Sequence, residues 1–362
     1  MFNSSRLILA RKRRKITGKE LAEKTGLTSV TISRFEQGIN EPSKESLHLI
    51  ADVLQYPSKF FYGNDIEAIP TEAVSFRSLK KMSAKERDAA IAAGLLGVLL
   101  SDWTEDRFNL PEIDMIDLSH EDNPEIAARS LRQHWGLGEA PIPNMLKLLE
   151  AKGARVFSLS EDTRMVDAFS FWRDERPYIF LNTVKTAERS IFDAAHELGH
   201  LVMHKHGGAT NSSYSNSIEH EANQFASAFL MPAHDVRARR GRKITTDSII
   251  QIKSRWRVSA MAMAYRLHAL KLISDWQYRS FCIELGRRGY RQGEPVGIDR
   301  ETSVVWQKVF SQLWSEKTTK QEVADELHIP LVELESIVFG LFGYSSKEHP
   351  SLRPVNPLQA IR

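Results

Sequence analysis

The N-terminal fold is decided by residues 17–38, which read TGKELAEKTGLTSVTISRFEQG. The apolar residues of this stretch recur at helical spacing and can face one small core: Leu21, Ala22, Leu27, Ile32 and Phe35. Thr17 and Thr28 stand where helix N-caps are expected, and Gly26 can adopt the left-handed conformation that ends a helix. The stretch therefore predicts two short helices joined by a tight turn.

The second of these helices leaves a mostly polar face toward solvent, formed by Ser29, Val30, Thr31, Ser33 and Arg34. Short side chains with one arginine are typical of a helix that reads the major groove of DNA. Residues 1–40 carry nine basic groups against three acidic ones, which suits a polyanion. Arg11, Arg14 and the backbone near Asn40 are expected to contact phosphates. The alternatives are a solvated helix face and a helical bundle that binds protein.

Residues 20–38, followed by Pro42-Ser43 and a helix through Leu54, resemble the lambda-repressor-like (XRE/Cro) helix-turn-helix family. The resemblance covers about residues 5–63. It implies a five-helix DNA-binding domain that reads the half-sites of a double-stranded operator as a homodimer.

Length and composition bound the rest of the chain. A chain of 362 residues is long for one hydrophobic core, so several domains are expected. The sequence has no run of about 18 apolar residues and only one cysteine, Cys282, which favours a cytoplasmic protein without a membrane segment. We expect a helix-turn-helix domain at 1–66, a linker and helical connector at 67–120, a second domain at 121–295 and a helical C-terminal region at 296–362.

A metal-binding pattern lies at His196-Glu-Leu-Gly-His200. Histidines four residues apart share one helix face, so both imidazoles can reach one Zn²⁺, and Glu197 between them is poised beside a metal-bound water. A third ligand must come from elsewhere. Residues 218–232, IEHEANQFASAFLMP, predict a second helix that could bring Glu221 to the histidine pair. Asn223 or Glu219 could then hydrogen-bond to a metal-ligating side chain without binding the metal itself.

Three segments look like the ImmA/IrrE family of zinc metallopeptidase domains: AAHELGHLVMH (194–204), EANQFASAFLMP (221–232) and the strand pair AFSFWRDERPYIFLN (168–182). The resemblance implies a gluzincin-like helical domain with a small antiparallel sheet, so that the whole chain is mainly α (α+β). Carried over residue by residue, it implies that His196, His200 and Glu221 bind Zn²⁺ and that Glu197 is the general base. His204 and His220 are weak candidates for an oxyanion stabiliser, since each is more simply a partly exposed histidine.

Residues 318–334 resemble a second helix-turn-helix by the same spacing of apolar positions. Its second helix carries Glu333 and Glu335, and acidic side chains argue against binding in a DNA groove. We therefore interpret this segment as a packing or protein-contact element.

Three functions remain open from the sequence. The chain could be a transcriptional regulator with an active zinc peptidase that cleaves a partner repressor, or itself, after a stress signal. It could instead be a regulator or antitoxin, with a cognate toxin as partner, whose metal site is structural or sensory. It could also be a peptidase whose helix-turn-helix recognises a homologous repressor as substrate. The presence of Glu197 favours hydrolysis, because a structural zinc site would tolerate its loss.

Overall fold

The computed structural model describes residues 1–66, 69, 75–76, 83–159, 168–205, 212–241, 243–290 and 293–342. In these ranges the chain forms sixteen α-helices and one four-stranded sheet, which confirms the mainly helical α+β fold. The helices are α1 (Ser4–Arg13), α2 (Gly18–Thr25), α3 (Ser29–Glu36), α4 (Lys44–Leu54), α5 (Ala84–Glu105), α6 (Pro124–His134), α7 (Met145–Ala151), α8 (Ala187–Met203), α9 (Ser212–Leu230), α10 (Ala233–Arg239), α11 (Thr246–Lys253), α12 (Ala260–Ala269), α13 (Asp275–Arg287), α14 (Val304–Ser315), α15 (Lys320–Leu327) and α16 (Leu331–Val338). Within the same ranges, no helix has the length and apolar character needed to cross a membrane.

The N-terminal domain consists of α1 to α4 and a 3-10 helix at Ser58–Tyr62. At the start of α2, the Thr17 hydroxyl accepts from the Glu20 amide, and the Glu20 carboxylate accepts from the Thr17 amide. Gly26 ends α2 with a φ of 73°, so the turn between α2 and α3 has the predicted conformation. The expected five helices are present, the fifth of them as a 3-10 turn.

The sheet consists of β1 (Ser75–Phe76), β2 (Arg155–Leu159), β3 (Ala168–Arg173) and β4 (Arg176–Asn182), in the order β1-β3-β4-β2. Strands β3 and β4 form an antiparallel hairpin, and β1 pairs antiparallel with the other edge of β3. Strand β2 pairs parallel with β4, so the sheet is mixed and the expectation of an antiparallel sheet was wrong in this detail. The reason is the strand order: β2 precedes β3 in the chain but does not pair with it. It lies at the edge of the sheet beside β4, which runs in the same direction.

Helix α5 packs on one face of this sheet. Phe169, Phe171 and Phe180 form an aromatic layer there, with ring centroids 4.7–6.3 Å apart. Glycines on α5 let the helix approach these rings closely, since a methyl group at Gly97 would lie 2.7 Å from the ring of Phe180. Part of the stretch expected as a connector thus contributes to the core around the sheet.

Helix α8 lies against the opposite face of the sheet. The β3 side chains that alternate with Phe169 and Phe171 point to this face. Trp172 Nε1 donates to the carbonyl of Leu201 at 3.0 Å, and Ser170 reaches α8 as well. Helix α9 packs on α8 so closely that a Cβ at Gly199 would lie 2.9 Å from the ring of Phe225. The sheet and α9 therefore enclose α8 from two sides and exclude water from its middle.

Helices α15 and α16 dock between the N-terminal domain and the sheet. Glu333 of α16 is only 2% exposed and accepts from the guanidinium groups of Arg13, the last residue of α1, and Arg14, which follows it, with a distance of 2.7 Å to Arg13 Nε. The Ser158 hydroxyl on β2 donates to the carbonyl of Ser336 at 2.7 Å. The acidic helix thus makes its polar contacts within the chain, which supports its interpretation as a packing element.

Candidate metal centre and DNA-binding surface

Helix α8 brings two histidines together on one buried face. Thr186 caps the helix by accepting from the Arg189 amide, and the helical repeat then places His196 and His200 one above the other. Their Nε2 atoms are 3.1 Å apart. His196 is 0% and His200 6% exposed, so both donor atoms point into the protein interior.

The carboxylate that meets this pair belongs to Glu219 of α9. Its Oε2 lies 3.3 Å from His196 Nε2, and its Oε1 lies 3.3 Å from His200 Nε2. Among the described residues, these three side chains form a cluster with the composition and spacing to hold a metal ion.

Glu221, the ligand implied by the family resemblance, lies elsewhere. Its Oε2 is 3.1 Å from His204 Nε2, and its Oε1 accepts from the Ser217 hydroxyl at 2.7 Å. Residues two apart on a helix point about 200° apart around its axis, so Glu219 and Glu221 cannot face the same point. In the structure Glu219, and not Glu221, therefore lies beside the histidine pair.

Asn223 was expected to support a metal ligand from behind. Its side-chain amide donates to the backbone carbonyl of Glu219 at 2.7 Å. Asn223 therefore contacts the backbone of α9 one turn earlier and not a ligand side chain. His220, between the two glutamates, is exposed, and its Nε2 lies 2.8 Å from Gln224 Nε2.

The charges of the cluster follow from burial and hydrogen bonding. Burial by itself would raise the pKa of Glu219, but hydrogen bonds from His196 and His200 outweigh it and lower the pKa to about 2. Burial lowers the pKa of His204 to about 4, assisted by the neighbouring His200 and opposed by Glu221. At neutral pH these pKa values leave Glu219 ionised and His204, which lies beside the cluster, neutral.

Glu197, the expected general base, is fully buried next to the histidine pair. The Ser170 hydroxyl on β3 donates to Glu197 Oε2 at 2.7 Å. The sequence interpretation did not include Ser170. The alternation of side chains along β3 could have indicated it. Phe169 and Phe171 point to the aromatic layer beneath α5, so Ser170 between them points to the opposite face, toward α8.

The predicted recognition helix is α3, and its outer face is open to solvent. Ser29, Val30, Ser33 and Arg34 are exposed, and Val30 is 61% exposed although it is apolar. Thr31 is half-buried, and its hydroxyl lies 2.8 Å from that of Thr28. The structure thus displays the expected DNA-reading side chains together, with the exposed Asn40 just beyond the helix.

The two arginines expected at DNA phosphates lie in intramolecular contacts instead. Arg11 donates from Nε and Nη2 to the Glu36 carboxylate and from Nη1 to the Ile16 carbonyl, which ties α1 to α3. Arg14 donates to Glu333 and, at 2.7 Å, to the carbonyl of Leu54. The local charge of the sequence suggested that both arginines were available to DNA. Their acidic partners, Glu36 and Glu333, are 25 and 319 residues away in the chain, so no local pattern reveals them.

Comparison with protein families agrees with both halves of this picture. The helix-turn-helix family profile matches residues 7–61, and the profile of the IrrE N-terminal-like domain, a peptidase family, matches residues 149–268. The second range includes the histidine pair, Glu197, Glu219 and Ser170. A search of curated proteins finds no match for the chain. The chain therefore joins an XRE-type helix-turn-helix DNA-binding domain to an ImmA/IrrE-like metallopeptidase domain.

Proposed function

We propose that this protein is a DNA-binding transcriptional regulator with a zinc-dependent endopeptidase that cleaves a partner repressor, or the chain itself, in response to stress. The observation that carries the proposal is the His196, His200 and Glu219 cluster with Glu197 beside it. The neighbouring helix-turn-helix domain supports a regulatory setting, in which α3 reads a double-stranded operator and the protein acts as a homodimer.

The donor distances suit zinc. Tetrahedral coordination with donors about 2.0–2.1 Å from the ion places neighbouring donors about 3.3–3.4 Å apart. Here the two Nε2 atoms are 3.1 Å apart, and each lies 3.3 Å from a different oxygen of Glu219, His196 from Oε2 and His200 from Oε1, so the carboxylate faces both imidazoles. Two imidazoles and one carboxylate are also the ligand set of catalytic zinc sites, which leave the fourth position for water. A structural site normally has four protein ligands, so the cluster favours catalysis.

The residues around the site have separate tasks in peptide hydrolysis. Zinc bound there would lower the pKa of a water molecule toward about 7 and polarise the scissile carbonyl. Glu197 accepts the proton of the attacking water on its carboxylate and delivers it to the leaving amine. Ser170 orients Glu197 by donating to one carboxylate oxygen. The burial of His196 and Glu197 excludes bulk water, which strengthens each of these electrostatic interactions.

The test uses the purified full-length protein with zinc, incubated alone and with the repressor or toxin encoded beside its gene. We expect cleavage, detected by mass spectrometry, that a chelator stops. Glu197→Gln should keep zinc but abolish cleavage. Glu175→Gln is the matched control, because Glu175 is exposed in the β3–β4 turn and pairs only at the surface with Lys205.

Three results would contradict the proposal in different ways. Cleavage that persists in Glu197→Gln would remove Glu197 from the mechanism. Bound zinc and operator binding without cleavage of either partner would favour the regulator or antitoxin with a sensory metal site. Cleavage of a repressor without any operator binding would favour a peptidase whose helix-turn-helix only recognises its substrate.

A further inference from the structure

His204 lies directly behind the metal cluster, between His200 and Glu221. Its Nδ1 is 3.1 Å from His200 Nδ1, and its Nε2 is 3.1 Å from Glu221 Oε2. Ser217 closes the chain by donating to Glu221 Oε1 at 2.7 Å. The His204 side chain is only 11% exposed, whereas its partner Glu221 is 33% exposed.

Zinc bound at His200 Nε2 would leave one arrangement of protons that satisfies this chain of contacts. His200 Nε2 faces the metal position, so its proton must sit on Nδ1 and be donated to His204 Nδ1. His204 Nδ1 is then an acceptor, so the ring carries its proton on Nε2 and donates it to Glu221. Each donor thereby meets an acceptor, and the tautomers of both rings are determined by the carboxylate of Glu221.

We infer that His204 and Glu221 are positioning residues that hold His200 in the tautomer and ring orientation required for metal binding. The inference rests on the metal site proposed above. Histidine ligands generally donate their second N–H to a carboxylate or carbonyl group, and loss of that acceptor weakens metal binding. In this chain the carboxylate acts through an interposed imidazole. Glu221 thus contributes to the metal site without being a ligand.

The experiment measures zinc affinity by competition with a chromophoric chelator and records the absorption spectrum of the cobalt-substituted protein. His204→Leu and Glu221→Ala should each weaken zinc binding about 10- to 100-fold. The double variant should be no weaker than either single variant, because both residues act in one chain. The shape of the cobalt spectrum should persist, since the three ligands remain.

Two further variants separate positioning from a merely structural role. His204→Gln should recover most of the affinity, because its amide can accept from His200 and donate to Glu221. His220→Ala is the matched control on α9 and should leave zinc affinity unchanged. The metal-free variants should unfold at the same temperature as the metal-free parent protein.

Unchanged zinc affinity in His204→Leu and Glu221→Ala, or additive losses in the double variant, would overturn the inference. A loss of the cobalt spectrum in Glu221→Ala, with retention in Glu219→Ala, would instead make Glu221 the ligand. If the parent protein binds no zinc, the proposed function itself fails. If the parent protein binds zinc through Glu219 and His204→Leu leaves the zinc affinity unchanged, only the positioning role fails.

Discussion

At the scale of single residues, angular position on a helix decides which group can act. Glu219 and Glu221 are both acidic and lie in the same short motif, yet only Glu219 reaches the histidine pair. Ser170 shows the same effect on a strand, because its neighbours in sequence face the aromatic layer while its hydroxyl meets Glu197. Chemistry at this site therefore depends on direction as much as on residue type.

Ser170→Ala tests this at the proposed catalytic base. We expect kcat/KM for peptide cleavage to fall about 10-fold, since Glu197 loses the donor that orients it. Zinc content should not change, because Ser170 does not touch the ligands. Ser158→Ala on β2 removes a buried hydroxyl of the same kind far from Glu197 and should leave kcat/KM unaffected. Equal rates in the parent protein and Ser170→Ala would show that the base needs no such donor.

At the scale of elements, capping and turns set where the functional helices begin. Thr28 caps α3 by accepting from the Thr31 amide, which starts the helix so that Ser29, Val30 and Ser33 share the exposed side. The link between Arg11 and Glu36 holds α1 against the end of α3. The cap and the Arg11–Glu36 pair thus fix where α3 begins and how its end lies against α1.

Arg34→Ala tests the reading of α3 as a recognition helix. Loss of a base contact from Arg34 should weaken operator binding by about 1–3 kcal/mol and relax specificity at one base pair. Fluorescence anisotropy with labelled operator, isolated by selection from random duplexes, measures both effects. Arg287→Ala provides an exposed arginine on α13 as the control. A uniform loss on every sequence would instead assign Arg34 to a phosphate contact.

At the scale of the whole molecule, the C-terminal helices connect the DNA-binding domain to the peptidase-like domain. Glu333 lies buried between Arg13 and Arg14, while Trp103 of α5 donates to Glu326 of α15 at 2.9 Å. A buried carboxylate between two guanidinium groups is sensitive to the loss of its charge, because the two cations then lie close together without the anion between them.

Glu333→Gln should therefore destabilise the protein by about 3 kcal/mol, measured as the free energy of unfolding in urea. Proteolysis should become faster between the N-terminal domain and the remainder. Glu335→Gln breaks the partly exposed pair that Glu335 of α16 forms with Lys320 of α15, and it should cost about 0–1 kcal/mol. Equal stability of the two variants would contradict a structural role for Glu333.

Local sequence patterns determined much of this protein. The spacing of apolar residues and the caps at Thr17 and Thr28 predicted α2 and α3, and the i, i+4 histidines predicted a shared metal-binding face on α8. These features depend on contacts within a few residues, which helical periodicity encodes directly. Only the tertiary structure decided the parallel pairing of β2 with β4, the position of Glu219 beside the histidine pair, the hydrogen bond from Ser170 to Glu197, and the pairing of Arg14 with the buried Glu333. Each depends on how separate elements approach in space, and such contacts have no fixed spacing along the chain.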